Sequence, residues 1–144
     1  MNAWQNDFDA WNAAAGNPNR GECPWPPPLT NFSQFRPTGP FEAMVERIAP
    51  FSARGVLWYQ GEEDTPHAND YAILLRHMID QWRAAWSANL PFIIAQLPQF
   101  METLGWVEIR AAQAQVARET DSAFLACLMD CGEEDDVHPT DKRT

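Results

Sequence analysis

The order of periodicities along the chain predicts an α/β fold. Three short apolar runs, RGVLWYQ at 54–60, PFIIAQL at 91–97 and SAFLACLMD at 122–130, alternate with two stretches of helical period. The runs do not alternate polar and apolar residues, which is the pattern of strands covered on both faces of a parallel sheet. Strands separated by helices of roughly ten to twenty residues suit right-handed crossover connections. Size and composition agree. The chain has 144 residues, 45% hydrophobic and 21% charged, with seven Trp and eight Phe to fill a core.

Taken in order, residues 2 to about 15 carry Trp4, Phe8 and Trp11 at three- and four-residue spacing, a short amphipathic helix that Asn17-Pro18 ends. From Gly16 to Pro40 the composition shifts. Pro24, Pro26, Pro27, Pro28, Pro37 and Pro40 make regular structure unfavourable, and a long connection with polyproline II character is expected. Residues 41–50 place Phe41, Met44, Val45 and Ile48 on one helical face, ended by Pro50. The chain therefore divides into 1–40, a helix and Pro-rich connection, and 41–144, the α/β part. Gly61 breaks the first strand. Residues 68–87 form a helix with the stripe Tyr71, Leu74, Leu75, Met78, Trp82 and Trp86, with start signals at Thr65-Pro66 and Asn69. Residues 103–119 repeat the period through Leu104, Val107, Ile109, Ala112 and Val116, and a polar, acidic tail runs from Cys131 to Thr144.

Charge narrows the partners. Ten Lys and Arg against 20 Asp and Glu give a formal net charge of −10, which disfavours nucleic acid and an anionic membrane surface. No apolar run approaches the roughly 20 residues of a membrane span, and the N-terminus lacks the basic and apolar regions of a secretory signal. Three cysteines do not make a disulfide framework. Cys127 and Cys131, in an extended stretch, stand about 13 Å apart, beyond the roughly 7 Å limit for a bridge. Cys23 is free to pair with either, and nothing requires it.

In such sheets ligands bind beyond the carboxyl ends of the strands, so the loops after them are where chemistry is expected. Two stand out. After the first strand comes Gln60-Gly61-Glu62. A Gly there permits a sharp turn, and its backbone N–H with a Gln side-chain donor would make an oxyanion hole. The same residues also suit a plain β-to-α turn whose acidic groups favour the next helix N-terminus. In the tail, Glu133-Glu134-Asp135-Asp136-Val137-His138 sets His138 three residues after an acid. That spacing lets a carboxylate hold Nδ1–H and leaves Nε2 as a general base. A solvated acidic loop and a divalent-cation site are the competing readings, the latter without the Gly-spaced loop of an EF-hand. His77 lies off its helix's apolar stripe and is expected to be exposed. His67 sits in the loop before that helix and is a candidate for its cap or a site rim.

Taken together, these segments resemble the sialate O-acetylesterase family, carbohydrate esterases of the SGNH (GDSL-like) hydrolase superfamily. The family's WYQGE is matched by Trp58-Tyr59-Gln60-Gly61-Glu62, and its closing HPxxK by His138-Pro139-Thr140-Asp141-Lys142. LPFIIAQLPQF resembles the family's PF-x-x-x-QL-x-x-F strand. Trp106, Glu108-Ile109-Arg110 and Gln113 resemble its W-x-x-(L/I)R-x-x-Q helix, and the stretch from Arg36-Pro37-Thr38-Gly39 to Pro50-Phe51 resembles the approach to the first strand. The resemblance covers roughly residues 36–144.

The resemblance implies a three-layer α/β/α, flavodoxin-like fold with a parallel sheet, here partial and incomplete at both ends. It implies hydrolysis of acetyl esters on sugars by a Ser-His-Asp mechanism with no cofactor and no metal. His138 would be the base and Asp135 its orienting acid, with Asp136 as the alternative. Gln60 and Gly61 would hold the oxyanion, and Glu62 would support the site from behind. The family's nucleophilic Ser lies in a G-x-S-N or GDS-like turn near the domain start. Ser33, Ser52, Ser87 and Ser122 lack that context. The chain is therefore expected to be the C-terminal part of such a domain and inactive alone. Its partners would be an acetylated carbohydrate and the missing N-terminal part of the same domain. Family members are often secreted or periplasmic. Two rival readings stand beside this one: a non-catalytic carbohydrate-binding protein or decayed remnant using its Trp residues as stacking platforms, and a metal-dependent hydrolase using the acidic cluster.

Overall fold

The computed structural model describes residues 3–21, 24, 36–100, 105–133 and 136. It divides into two compact units, Met1–Ile48 and Ala49–Thr144.

In the first unit, helix α1 (Ala3–Ala13) aligns its aromatic residues as the spacing predicts. Trp4 stacks on Phe8 at 5.2 Å and Phe8 on Trp11 at 6.1 Å. The Trp4 indole N–H donates to the Pro24 carbonyl (2.9 Å), the Trp11 indole to that of Gly21 (3.1 Å), and Arg20 lies over the Trp11 ring. No residue of α1 is fully buried. The expected helix at 41–50 is shorter and less regular: a π-helical turn, Phe41–Val45, runs into α2 (Glu46–Ile48). Its predicted apolar face is covered only in part: Phe41 and Val45 are half-buried, while Met44 and Ile48 are exposed. Arg36 and the Thr38 hydroxyl both bond the Glu42 carboxylate and hold its pKa below the ordinary range.

The second unit is the predicted β-α-β-α-β chain: β1 (Val56–Trp58), a 3-10 turn (Glu62–His67), α3 (Ala68–Trp86), β2 (Phe92–Ala95), α4 (Trp106–Glu119) and β3 (Ala123–Ala126). The strands are parallel in the order β1-β2-β3. Two crossovers of one hand stepping in one direction put both helices on one face of the sheet. The core lies between that face and the helices: Tyr71, Leu75 and Ile79 from α3, Phe92 and Ile94 from β2, Ile109 and Val116 from α4. Trp82 meets Trp58 edge-on at 6.0 Å and stacks on Trp86. Arg83 ties α3 to the amino ends of β2 and β3, donating to the carbonyls of Leu90 (3.0 Å) and Asp121 (2.7 Å).

The expectation of strands covered on both faces does not hold. Leu57, Ile93 and Phe124 stand in one register row and are 82%, 43% and 58% exposed. Their neighbours Phe92 and Ile94, pointing the other way, are fully buried. Neither crossover reaches the second face, so that face has no covering layer among the described residues. Leu74 and Val107, expected on apolar stripes, are also exposed. Among the described residues no helix is long and apolar enough to cross a membrane.

Candidate active site

The site candidate is the turn that leaves β1. Its position is fixed by a buried polar link rather than by apolar packing alone. The Gln60 carbonyl accepts two hydrogen bonds, from the Tyr71 hydroxyl on α3 (2.8 Å) and from Gln113 Nε2 on α4 (3.0 Å). Gln113 is wholly buried, and its Oε1 accepts from the Leu97 N–H just past β2 (3.0 Å). One carboxamide thereby joins the carboxyl ends of β1 and β2. A second tie comes from the Trp106 indole, which donates to the Pro98 carbonyl at 3.0 Å.

Gly61 adopts φ +150°, a conformation open to glycine and strained for other residues. A Cβ at this position would stand 2.9 Å from Ile109 Cγ2 and 3.3 Å from Gln113 Nε2. The turn therefore lies flat against α4. The following 3-10 turn is pressed as closely: a Cβ on Gly105, at the head of α4, would meet the Thr65 carbonyl oxygen at 2.0 Å. The Gln60 side chain points along the turn and donates through Nε2 to the Asp64 carboxylate. A carboxamide nitrogen has two N–H groups, so this bond orients the group and leaves the other N–H for a ligand. Trp58, Gln60, Asp64, Tyr71, Leu74, Leu75 and Met78 line a cavity of about 200 Å³ beside the turn.

Two phenols flank the turn. Burial pushes the Tyr71 pKa above its ordinary value, and the nearby Asp64 and Glu62 charges act in the same direction. Tyr71 is thus held protonated, as a donor. Tyr59, on the uncovered side of the sheet, is shifted up by partial burial and by Glu62 and Cys131. The loop after β3 comes to the same end of the sheet. A Cβ on Gly132 would stand 3.0 Å from Pro98 Cβ and 3.2 Å from the Gln99 carbonyl oxygen. Beyond it, Glu133 and Asp136 form an isolated antiparallel bridge.

Of the residues singled out from sequence, Gln60 and Gly61 sit together at the carboxyl end of β1, and Asp136 follows the loop after β3. Asp135 and His138, with Ser33 and Cys23, lie outside the described residues. His77 is exposed, as expected, and His67 precedes α3 without a side-chain cap bond. Cys127 and Cys131 are free thiols. Of the acidic cluster only Glu133 and Asp136 are described. Among the described residues no group of three or more His, Cys, Asp or Glu is placed to hold a metal ion. Trp106 is buried in the core, and Trp58, Trp82 and Trp86 are half-buried against it. Sequence reasoning gave Tyr71 only a place on an apolar stripe and Gln113 only a place in the matched helix motif, and it gave Asp64 no site role. The available signal was Gln113 itself, a polar residue inside the apolar stripe Ile109, Ala112, Val116.

Residues 28–143 match the family described as carbohydrate esterases, sialic acid-specific acetylesterases. The sialate O-acetylesterase of Mus musculus is 27% identical over 81% of this chain and 27% of its own length. That of Rattus norvegicus is 26% identical over 88% of the chain and 29% of its length, and that of Homo sapiens 25% over 95% and 31%. The chain thus spans less than a third of the length of these relatives.

Proposed function

Because the chain belongs to the carbohydrate esterase family of sialic acid-specific acetylesterases, we propose that it supplies the base side and the oxyanion side of a serine acetylesterase site acting on O-acetylated sugars. The substrate class is taken from the relatives, which are named for sialate esters. In this reading a Ser hydroxyl attacks the acetyl carbonyl while His138 Nε2 takes its proton. Asp135, or Asp136 in its place, holds the other ring nitrogen. The tetrahedral oxyanion is met by the Gly61 N–H and the Gln60 side chain. Collapse expels the sugar hydroxyl, which receives the proton from His138. Water then attacks the acetyl-enzyme with His138 again as base, and acetate leaves.

The observation that carries the reading is the Gln60-Gly61 turn, fixed at the carboxyl end of β1 by Tyr71 and Gln113. The nucleophile comes from elsewhere in the polypeptide. Ser52, Ser87 and Ser122 lie before β1, after α3 and before β3, toward the amino ends of the strands and away from the turn. The bare row Leu57, Ile93, Phe124 supports the same division of labour, because parallel sheets are covered on both faces. The remaining part of the domain covers it and brings the Ser.

Acetate release from an O-acetylated sialic acid tests the reading. The chain alone is expected to be inactive. In the complete domain, Gln60→Ala is expected to lower kcat about 10²–10³-fold, and His138→Ala to abolish turnover. Undiminished release by the His138→Ala domain overturns it.

A further inference from the structure

We propose that Gln113 and Tyr71 are positioning residues that aim the Gly61 N–H at the reacting oxygen, acting through the Gln60 carbonyl. This rests on the proposed function for the identity of the ligand, but the geometric part stands on the turn alone. The Gln60 C=O and the Gly61 N–H belong to one planar, trans peptide unit, so they point in opposite directions. Whatever holds the carbonyl therefore sets the direction of the amide. Here two donors hold it, the Tyr71 hydroxyl at 2.8 Å and Gln113 Nε2 at 3.0 Å, one from each helix of the covered face. The Gly61 N–H is thereby turned away from α3 and α4, and it has no hydrogen-bond partner among the described residues.

A glycine at φ +150° makes such fixing necessary. Without a Cβ, the peptide unit before it can rotate at little steric cost, and a rotated unit would bury the donor. Gln113 is itself held so that only one arrangement works. Its Oε1 is engaged by the Leu97 N–H, which leaves Nε2 as the atom facing Gln60. The raised Tyr71 pKa keeps its hydroxyl a donor. Gln113 is wholly buried, and both side chains act on the turn through the Gln60 carbonyl.

The 144-residue chain, labelled with ¹⁵N, tests this with acetate as the probe, the smallest carboxylate and the product of the proposed reaction. Two variants are compared. Tyr71→Phe removes only a hydroxyl. Gln113→Glu keeps an acceptor for the Leu97 N–H and replaces the donor facing Gln60 with an oxygen. In the unaltered chain the Gly61 amide is expected to be rigid, with an order parameter of about 0.85, and to shift on acetate addition. In each variant the order parameter of Gly61 falls, toward about 0.6 in Gln113→Glu, and the acetate-induced shift shrinks several-fold, while the amides of Ile94 and Leu125 stay as they were. Gly61 order unchanged in Tyr71→Phe and in Gln113→Glu overturns the positioning role. If Gln113→Glu does not fold, Tyr71→Phe decides alone. Acetate that moves neither the Gly61 nor the Gln60 side-chain resonance of the unaltered chain contradicts the proposed function instead. The order-parameter contrast then still decides the positioning role.

Discussion

Replacing Gly61 with Ala loads the turn in two ways, and both follow from its geometry. At φ +150° a residue with a Cβ is strained, by about 1–3 kcal/mol. The new methyl would also stand 2.9 Å from Ile109 Cγ2, and Ile109 is wholly buried, with no room to retreat. Overpacking of that kind costs about 1–3 kcal/mol more. The sum is about 2–6 kcal/mol. With a slope near 2 kcal/mol/M, the urea midpoint of the second unit drops by about 1–3 M. Tryptophan fluorescence follows the transition directly, since Trp58, Trp82 and Trp86 pack against this core. A Gly61→Ala midpoint within about 0.2 M of the unaltered chain, a loss under about 0.5 kcal/mol, would refute the close packing of the turn against α4.

Three further outcomes follow from the same geometry. Ile94→Ala is expected to cost about 2–5 kcal/mol and the adjacent Ile93→Ala about 1 kcal/mol or less, because one is buried and the other 43% exposed; equal losses in urea titrations would contradict the one-sided sheet. The folded-state pKa of Tyr71 is raised, so its contribution to stability is complete below the ordinary phenol value of 10.0 and is lost as pH rises through the raised value. Tyr71→Phe should flatten the fall in urea midpoint above about pH 10, and an alkaline limb of unchanged slope would exclude Tyr71 as its source. In the first unit, Arg36 and Thr38 lower the Glu42 pKa, so their bonds persist above the ordinary carboxyl value and are lost only as pH falls through the lowered one. The Glu42 carboxyl carbon shift should titrate below that of a free Glu, and an ordinary midpoint would show the contact absent in solution.

The elements of the second unit were legible because the period changes cleanly. Runs such as FIIA and AFLA sit between stretches of three- and four-residue spacing, and the structure places β2, β3, α3 and α4 there. Burial was less legible. A continuous apolar run says that both faces need cover, but not where the cover comes from, and Leu57 and Phe124 remain bare because both crossovers fall on one side. Leu74 beside Leu75 and Val107 beside Trp106 show the same limit on helices, where an apolar residue at the margin of a stripe points away from the core. At the site, the motif located Gln60 and Gly61, but not what holds them. Tyr71 read as one more core aromatic, and Gln113 as an unassigned letter in a pattern. Their role depends on three segments meeting around one carbonyl, which sequence spacing does not encode.

Labelling with a serine-directed phosphonate tests the central claim most directly: that this chain carries the base and oxyanion side of an acetylesterase site and takes its nucleophile from elsewhere. Intact-mass analysis is made on the 144-residue chain and on the complete acetate-releasing domain. The chain is expected to remain unlabelled. The complete domain is expected to gain one adduct, on a Ser outside these residues, with loss of acetate release. An adduct on Ser33, Ser52, Ser87 or Ser122, or a domain that keeps releasing acetate with no adduct at all, would contradict it.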